Sequence, residues 1–200
     1  TGHPIDQYYD ELKRYVGVKL CDLQPTRRGQ SQVITGLVMD VRLFKGPRGT
    51  RAIVLLDDRT GRVEASFFGE VYEQVKELLV VDNVIIVEAE VSPDDFKGGL
   101  RVTAKKAYTL MDARMTSVRT VELTLNLSQL KPPAILDLRQ LFAKFQPTNG
   151  QKSVNLHLRC QHTSATAVLQ CGDNWRIYPH DDLIKRLKQW YGNSALRLVY

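Results

Sequence analysis

Histidine is missing from most of this chain: none lies between His3 and His157, so a metal site in that stretch would have to do without imidazole. Cysteine is scarce too. Cys21, Cys160 and Cys171 are odd in number and far apart, which points to a reducing cytoplasm rather than a disulfide scaffold. No apolar run approaches the roughly 20 residues of a membrane span, and no signal-peptide pattern opens the chain. Also lacking are a Ser-His-Asp order, a phosphate-binding glycine loop and a pair of carboxylates set for acid–base work. Thr1 is an unusual natural start, so an excised fragment is expected, with much of the parent's function outside it.

What is present is ordinary globular sequence, 43% apolar and 25% charged over 200 residues, enough for one large domain or two small ones. The net charge of +6 is unevenly placed. Residues 1–115 carry 17 Lys/Arg against 17 Asp/Glu, and residues 116–200 carry 11 against 5. A basic half suits an acidic partner, nucleic acid or protein. A surface that is basic only for solubility is the other reading.

Residues 1–29 read as a helix and a linker. Ile5, Tyr8, Tyr9, Leu12 and Tyr15 recur at helical spacing over 4–16, and the polar QPTRRGQSQ follows. From Gln32 the period becomes two: Val33, Thr35, Leu37, Met39, Val41 and Leu43 alternate along a first strand. RAIVLL and VEASFF are two more strands, VYEQVKELLV a helix, and NVIIVEAEV and LRVTAKKAYTL the fourth and fifth strands. Three strands, a helix and two strands is the order of a five-stranded OB-fold barrel, placed at 30–115. Within it Asp57 and Asp58 stand between two strands, with Gly61 to turn the chain, and predict a hairpin rather than a metal site.

Residues 116–200 predict a small α+β domain of order β-α-β-β-α-β, a split-βαβ sandwich with helices on one face of an antiparallel sheet. VRTVELTLNL, SVNLHLRC, ATAVLQC and SALRLVY supply the strands, with WRIY as an extension. PPAILDLRQLFAKF carries Ile135, Leu138, Phe142 and Phe145 as a helical stripe. DDLIKRLKQWY opens on Asp181 and Asp182, as the helix dipole prefers. A symmetric hairpin at QHTS sets Cys160 opposite Ala167 and Cys171 opposite Leu156, too far apart for one zinc or a disulfide.

Single-stranded nucleic acid needs cations for phosphates and rings for bases. Lys45, Arg48 and Arg51 flank the first barrel loop, and Lys97 and Arg101 the last. With Val63, Ala65 and Phe67 inward, Arg62, Glu64 and Phe68 point outward, as Arg42 and Phe44 do beside an inward Leu43. Phe44 and Phe68 are therefore the stacking candidates. Acidic neighbours Asp40, Glu64, Asp94 and Asp95 should keep affinity modest and salt-sensitive. In the second half no aromatic stands on the outward sheet positions, so protein contact is the better expectation there. Its candidate residues are Trp175, Trp190, Tyr191, Leu196 and Leu198, although Trp190 is expected to pack under its own sheet.

Taken together, these stretches resemble the C-terminal portion of the α subunit of bacterial DNA polymerase III. TGHPIDQYYDELKRYV resembles the segment closing that family's clamp-binding region. VITGLVMDVR, LLDDRTGRVEASFF, LLVVDNVIIVEAEVSPDDFKGGLRV and KKAYTLMDAR resemble its OB domain, and GDNWRIYPHDDLIKRL with the final strand its last domain. The resemblance implies a fragment that is not itself an enzyme, with no cofactor of its own. It comes from a DNA-directed DNA polymerase whose Mg ions sit on aspartates elsewhere. It implies single-stranded DNA at the barrel and the τ subunit of the clamp loader at the last domain. It further implies the sliding clamp at upstream segments, no membrane contact, and a nucleoid-associated replisome in the bacterial cytoplasm. Some relatives end in a second clamp-like motif beginning with Gln; SALRLVY has none, which counts against clamp contact through the tail. Leu196→Asp is expected to abolish τ docking. The alternatives are a tRNA anticodon-binding module of a class II aminoacyl-tRNA synthetase and an OB spacer that only docks protein.

Overall fold

Alternating, β-branched sequence dominates residues 32–109 and closes on itself as a barrel. The computed structural model describes residues 5, 8–27, 29–47, 49–95, 98–148 and 151–200. It divides into two units, Thr1–Leu110 and Met111–Tyr200.

In the first unit the strands are β1 (Gln32–Gly46), β2 (Gly49–Asp57), β3 (Arg62–Phe68), β4 (Val84–Pro93) and β5 (Leu100–Thr109). They close in the order β1-β2-β3-β5-β4, with β3 and β5 parallel and the other pairs antiparallel. This is the OB-fold that the element order predicts. The 15-residue β1 serves two neighbours: Gln32–Leu37 pair with β4 and Leu37–Gly46 with β2, with a bulge between Val38 and Asp40. Where the strand passes from one partner to the other stands Gly36. A Cβ there would lie 2.8 Å from Leu56 Cβ, closer than packed carbons approach. Ile34, Val38, Val54, Leu56, Ala65, Phe67 and Val87, all shielded from solvent, fill the interior.

The helix between β3 and β4 is shorter than its apolar spacing suggests. α2 (Gly69–Val75; α1 is described below) gives way to a 3-10 turn at Lys76–Leu78, and Val80 and Val81 are exposed. The chain must turn back here, with Asp82 at φ 71° and its N–H donating to Val38 O at 2.9 Å. Upstream, the described residues form one α-helical turn, α1 (Tyr9–Leu12), and a 3-10 turn at Leu20–Asp22. The stretch after α1, expected as a linker, lies along the barrel. Leu20 and Leu23 are buried in the barrel core, Gly17 N donates to Val33 O, and Thr26 N donates to Val91 O at 2.7 Å. Two apolar residues three apart in a polar stretch carry no periodic signal, which is why the packing was not evident.

The second unit opens with α3 (Leu110–Ser117), which no apolar period announces because its most enclosed side chain is Arg114, 1% exposed and paired with Asp181. Its strands are β6 (Thr120–Asn126), β7 (Asn155–His162), β8 (Ala165–Gln170) and β9 (Leu196–Val199). α4 (Pro132–Lys144) joins β6 to β7, and α5 (Asp181–Tyr191) joins β8 to β9. The element order is the expected one and the class is α+β. The strand arrangement differs: the sheet runs β8-β7-β6-β9, with β6 and β7 adjacent and parallel. A split arrangement would place β8 between them. Every residue of β8 is exposed, so it suits only an edge, whereas β6 is buried over most of its length and takes the centre. WRIY adds a single bridge, Val154 with Ile177, not a strand. In α4 the buried residues are Leu138, Leu141 and Phe142, while Ile135 is exposed. No helix among the described residues is long and apolar enough to cross a membrane.

Candidate nucleic-acid interface and an apolar groove

The hairpin between β2 and β3 explains its own aspartates. Asp58 Oδ1 accepts from Thr60 N, Thr60 Oγ1 and Gly61 N at 2.7–3.0 Å, and Asp58 Oδ2 accepts from Leu20 N at 2.8 Å. Asp57 Oδ1 accepts from Arg59 N at 2.7 Å, and its Oδ2 meets Arg62 Nε at 2.6 Å. All four oxygens are engaged, and the Arg62 guanidinium stands where a cation would. The pair does not fit a metal. Among the described residues no group of three or more His, Cys, Asp and Glu is placed to hold one. Asp58 has a further task the sequence did not disclose: it ties the upstream segment to the barrel.

Register then aligns the predicted nucleic-acid residues on the barrel's outer face. Phe44, Arg51 and Phe68 are direct neighbours across β1, β2 and β3 and form one rung. The next rung on the same face is Arg42, Ile53 and Ser66, and the third is Asp40, Leu55 and Glu64. Arg51 Cζ sits 4.9 Å from the Phe44 ring centroid and 5.8 Å from that of Phe68, so cation–π attraction holds its plane in place. Its Nε is buried and has no acceptor among the described residues. Both rings keep 44% of their surface exposed.

The other cations of this face are already paired. Arg42 contacts Glu64 and lies 3.4 Å from Asp40, and Arg101 lies 3.2 Å from Asp94. A cleft of about 720 Å³ runs along the face, lined by Arg51, Arg62, Glu64, Phe68, Asp94 and Arg101 among others. Four predicted residues therefore share one cleft, with Arg42 and Phe44 beside it. Lys45 is exposed at the end of β1 and makes no ion pair among the described residues. Arg48 and Lys97 lie outside the described residues. Leu43, expected inward, pairs with the buried Ala52 but is itself 54% exposed.

In the second unit the predicted partner residues do not form one patch. Leu196 and Leu198 pair with Leu123 and Val121 and pack against the core, so Leu196→Asp would strike the fold as well as any surface. Trp190 is not under the sheet: it is 45% exposed, edge-on to Tyr191 at 6.5 Å. Burial, and then the Asp137 charge, raise the Tyr191 hydroxyl above its ordinary pKa. Trp175 lines a separate apolar groove of about 540 Å³ with Leu127, Leu130, Ile135, Arg139 and Phe142. Cys160 pairs with Ala167 and the Cys171 N–H donates to Leu156 O, the register expected of the QHTS hairpin. Both thiols are free and line the same groove. Burial, with Cys160 adding to it, pushes the Cys171 thiol up. On the sheet's other face Glu122 is buried and receives both Nε and Nη2 of Arg159, at 3.0 and 3.1 Å, which holds its carboxyl below the ordinary range. Nothing in the sequence around Glu122 announces this pair, because Arg159 is 37 residues away along the chain.

Comparison with known proteins agrees with this division. A family model described as an OB-fold nucleic acid binding domain matches residues 32–110. A second, the C-terminal domain of DNA polymerase III subunit alpha, matches residues 137–192. The chain is similar to DNA polymerase III subunit alpha of Pseudomonas aeruginosa, 37% identical over an alignment of 201 positions that covers 100% of this chain and 16% of the relative. The Haemophilus influenzae subunit is 36% identical and that of Escherichia coli strain K12 37%, each over 100% of this chain and 17% of the relative. The chain thus spans about a sixth of the length of these relatives.

Proposed function

Since this chain belongs along its whole length to the C-terminal region of the DNA polymerase III subunit alpha family, we propose that it is a non-catalytic piece with two contacts to make. The barrel face contacts single-stranded template DNA. The second unit docks the τ subunit of the clamp loader, and residues upstream of the barrel adjoin a clamp-binding region. The parent protein's proposed activity is DNA-directed DNA synthesis in the bacterial cytoplasm, by a two-metal mechanism on aspartates other than Asp57 and Asp58.

One observation carries the DNA reading: the rung Phe44–Arg51–Phe68, which sets a flat, unpaired guanidinium between two half-exposed rings. Rings give sequence-tolerant stacking, about 1–3 kcal/mol per base, and the guanidinium gives a phosphate a seat. A tRNA module is disfavoured because the second unit and the full-length relatives are those of a polymerase subunit.

Fluorescence anisotropy with labelled single-stranded DNA, duplex DNA and tRNA, at several salt concentrations, tests the reading. Preference for the single strand, weakened by Phe44→Ala and by Phe68→Ala, is expected. Absence of binding at low salt would leave the barrel a spacer. For τ, surface plasmon resonance against the immobilised subunit should show binding that Trp175→Ala weakens; no binding by the unaltered chain would end that assignment.

A further inference from the structure

The cleft carries its own anions. Glu64 lines it, two rungs from Arg51 and in contact with Arg42, whose guanidinium also faces Asp40. Arg101 is met in the same way by Asp94, and Arg62 by Asp57. Of the four arginines on or beside the cleft, Arg42, Arg51, Arg62 and Arg101, Arg51 is the one that no carboxylate holds among the described residues.

We propose that Glu64 is the residue that sets how tightly this face holds a single strand, by keeping Arg42 from the phosphates. The proposal rests on the DNA reading above and concerns the same site. The two competing interactions are of similar size. An exposed Arg–carboxylate pair is weak, and here both side chains are nearly half exposed, at 47% and 45%. A phosphate contact on a single strand releases about 0.7 of a counterion, which at 0.1 M salt amounts to roughly a fivefold gain in affinity. With Glu64 in place, taking Arg42 away from its carboxylate and giving it to a phosphate gains almost nothing, so Arg42 stays where it is. Arg51 remains the one pre-set phosphate seat. The consequence is a loose, quickly released contact, which suits a template strand that must move across the face.

Glu64→Gln removes the charge while keeping the shape of an exposed side chain, and it leaves Arg42 only the exposed Asp40 carboxylate, 3.4 Å from its Nε. The test compares the unaltered chain, Glu64→Gln, and Glu64→Gln combined with Arg42→Ala, titrated against fluorescent oligo(dT) from 50 to 200 mM salt. The expected result has three parts. Glu64→Gln binds about fivefold tighter at 0.1 M salt, its log–log salt slope steepens by about 0.7, and both gains vanish when Arg42 is also removed. If the unaltered chain binds and Glu64→Gln binds no tighter, the proposal is overturned while the DNA reading stands. A gain that survives loss of Arg42 would also overturn it, since it would come from relieved repulsion alone. If none of the three binds, the DNA reading itself fails and takes the proposal with it.

Discussion

Replacing Asp58 by alanine should loosen the barrel far more than an ordinary turn substitution. Four donors reach this 9%-exposed carboxylate: the N–H groups of Leu20, Thr60 and Gly61 and the Thr60 hydroxyl. Thr60 is exposed, so water can replace what it loses. The Leu20 N–H is buried, 38 residues away in sequence, and nothing replaces its acceptor. A hydrogen bond to a charged group contributes about 1.5–3 kcal/mol, and the partly exposed turn bonds add about 1 kcal/mol together, so the loss comes to roughly 2.5–4 kcal/mol. Trp175 and Trp190 are the two tryptophans and both lie in the second unit, so tryptophan emission does not report on the barrel. Amide hydrogen exchange does. The core amides of Val54 and Ala65 should exchange roughly two to three powers of ten faster in Asp58→Ala, and Leu20 should lose protection first. The tryptophan-monitored unfolding of the second unit should stay as it was. A loss of barrel stability under about 1 kcal/mol would refute the reasoning, because it would mean the Leu20 bond holds nothing.

Gly36→Ala should cost the barrel about 1–3 kcal/mol, since its Cβ would meet Leu56 Cβ at 2.8 Å and Asp57 N at 3.1 Å, atoms fixed by the strand. A lower urea midpoint by circular dichroism checks it, and an unchanged midpoint contradicts it. In the second unit, Arg159 depresses the Glu122 carboxyl below its ordinary value of 4.5. A carboxyl depressed in the folded state stabilises at pH above its unfolded value and loses that contribution as pH falls through the folded one. The tryptophan-monitored stability should therefore decline as pH drops below about 4.5, and Glu122→Gln should remove part of that acid dependence while lowering stability at pH 7. Parallel pH profiles for the two proteins would contradict this.

The barrel was legible because its signals are local. Alternation in VEASFF decides that Ala65 and Phe67 face inward and Phe68 outward, and the Asp-Asp-Arg-Thr-Gly turn sets the register that brings Phe68 opposite Arg51. What escaped depends on partners distant along the chain. Leu20 and Leu23 reach the barrel core, with the Leu20 N–H held by Asp58, which no spacing announces. The direct pairing of β6 with β7 follows from β8 being too exposed for a central place, a fact of packing rather than of pattern. Arg114 hides α3 from any apolar period because a buried arginine looks like a surface residue until Asp181 is beside it. In the cleft, residue type named the cations as candidates but could not tell that Arg42, Arg62 and Arg101 are held by carboxylates while Arg51 is held by rings.

Nitrogen-15 NMR of the chain titrated with a short oligo(dT) tests the central claim most directly, through the Arg51 Nε–H signal. That group is buried without an acceptor among the described residues, and Arg51 lies at the middle of the Phe44–Phe68 rung. The account predicts that the Arg51 Nε–H resonance shifts on binding, together with backbone amides of β1, β2 and β3 along the cleft. Binding that leaves Arg51 unmoved and shifts only residues of the second unit would contradict it.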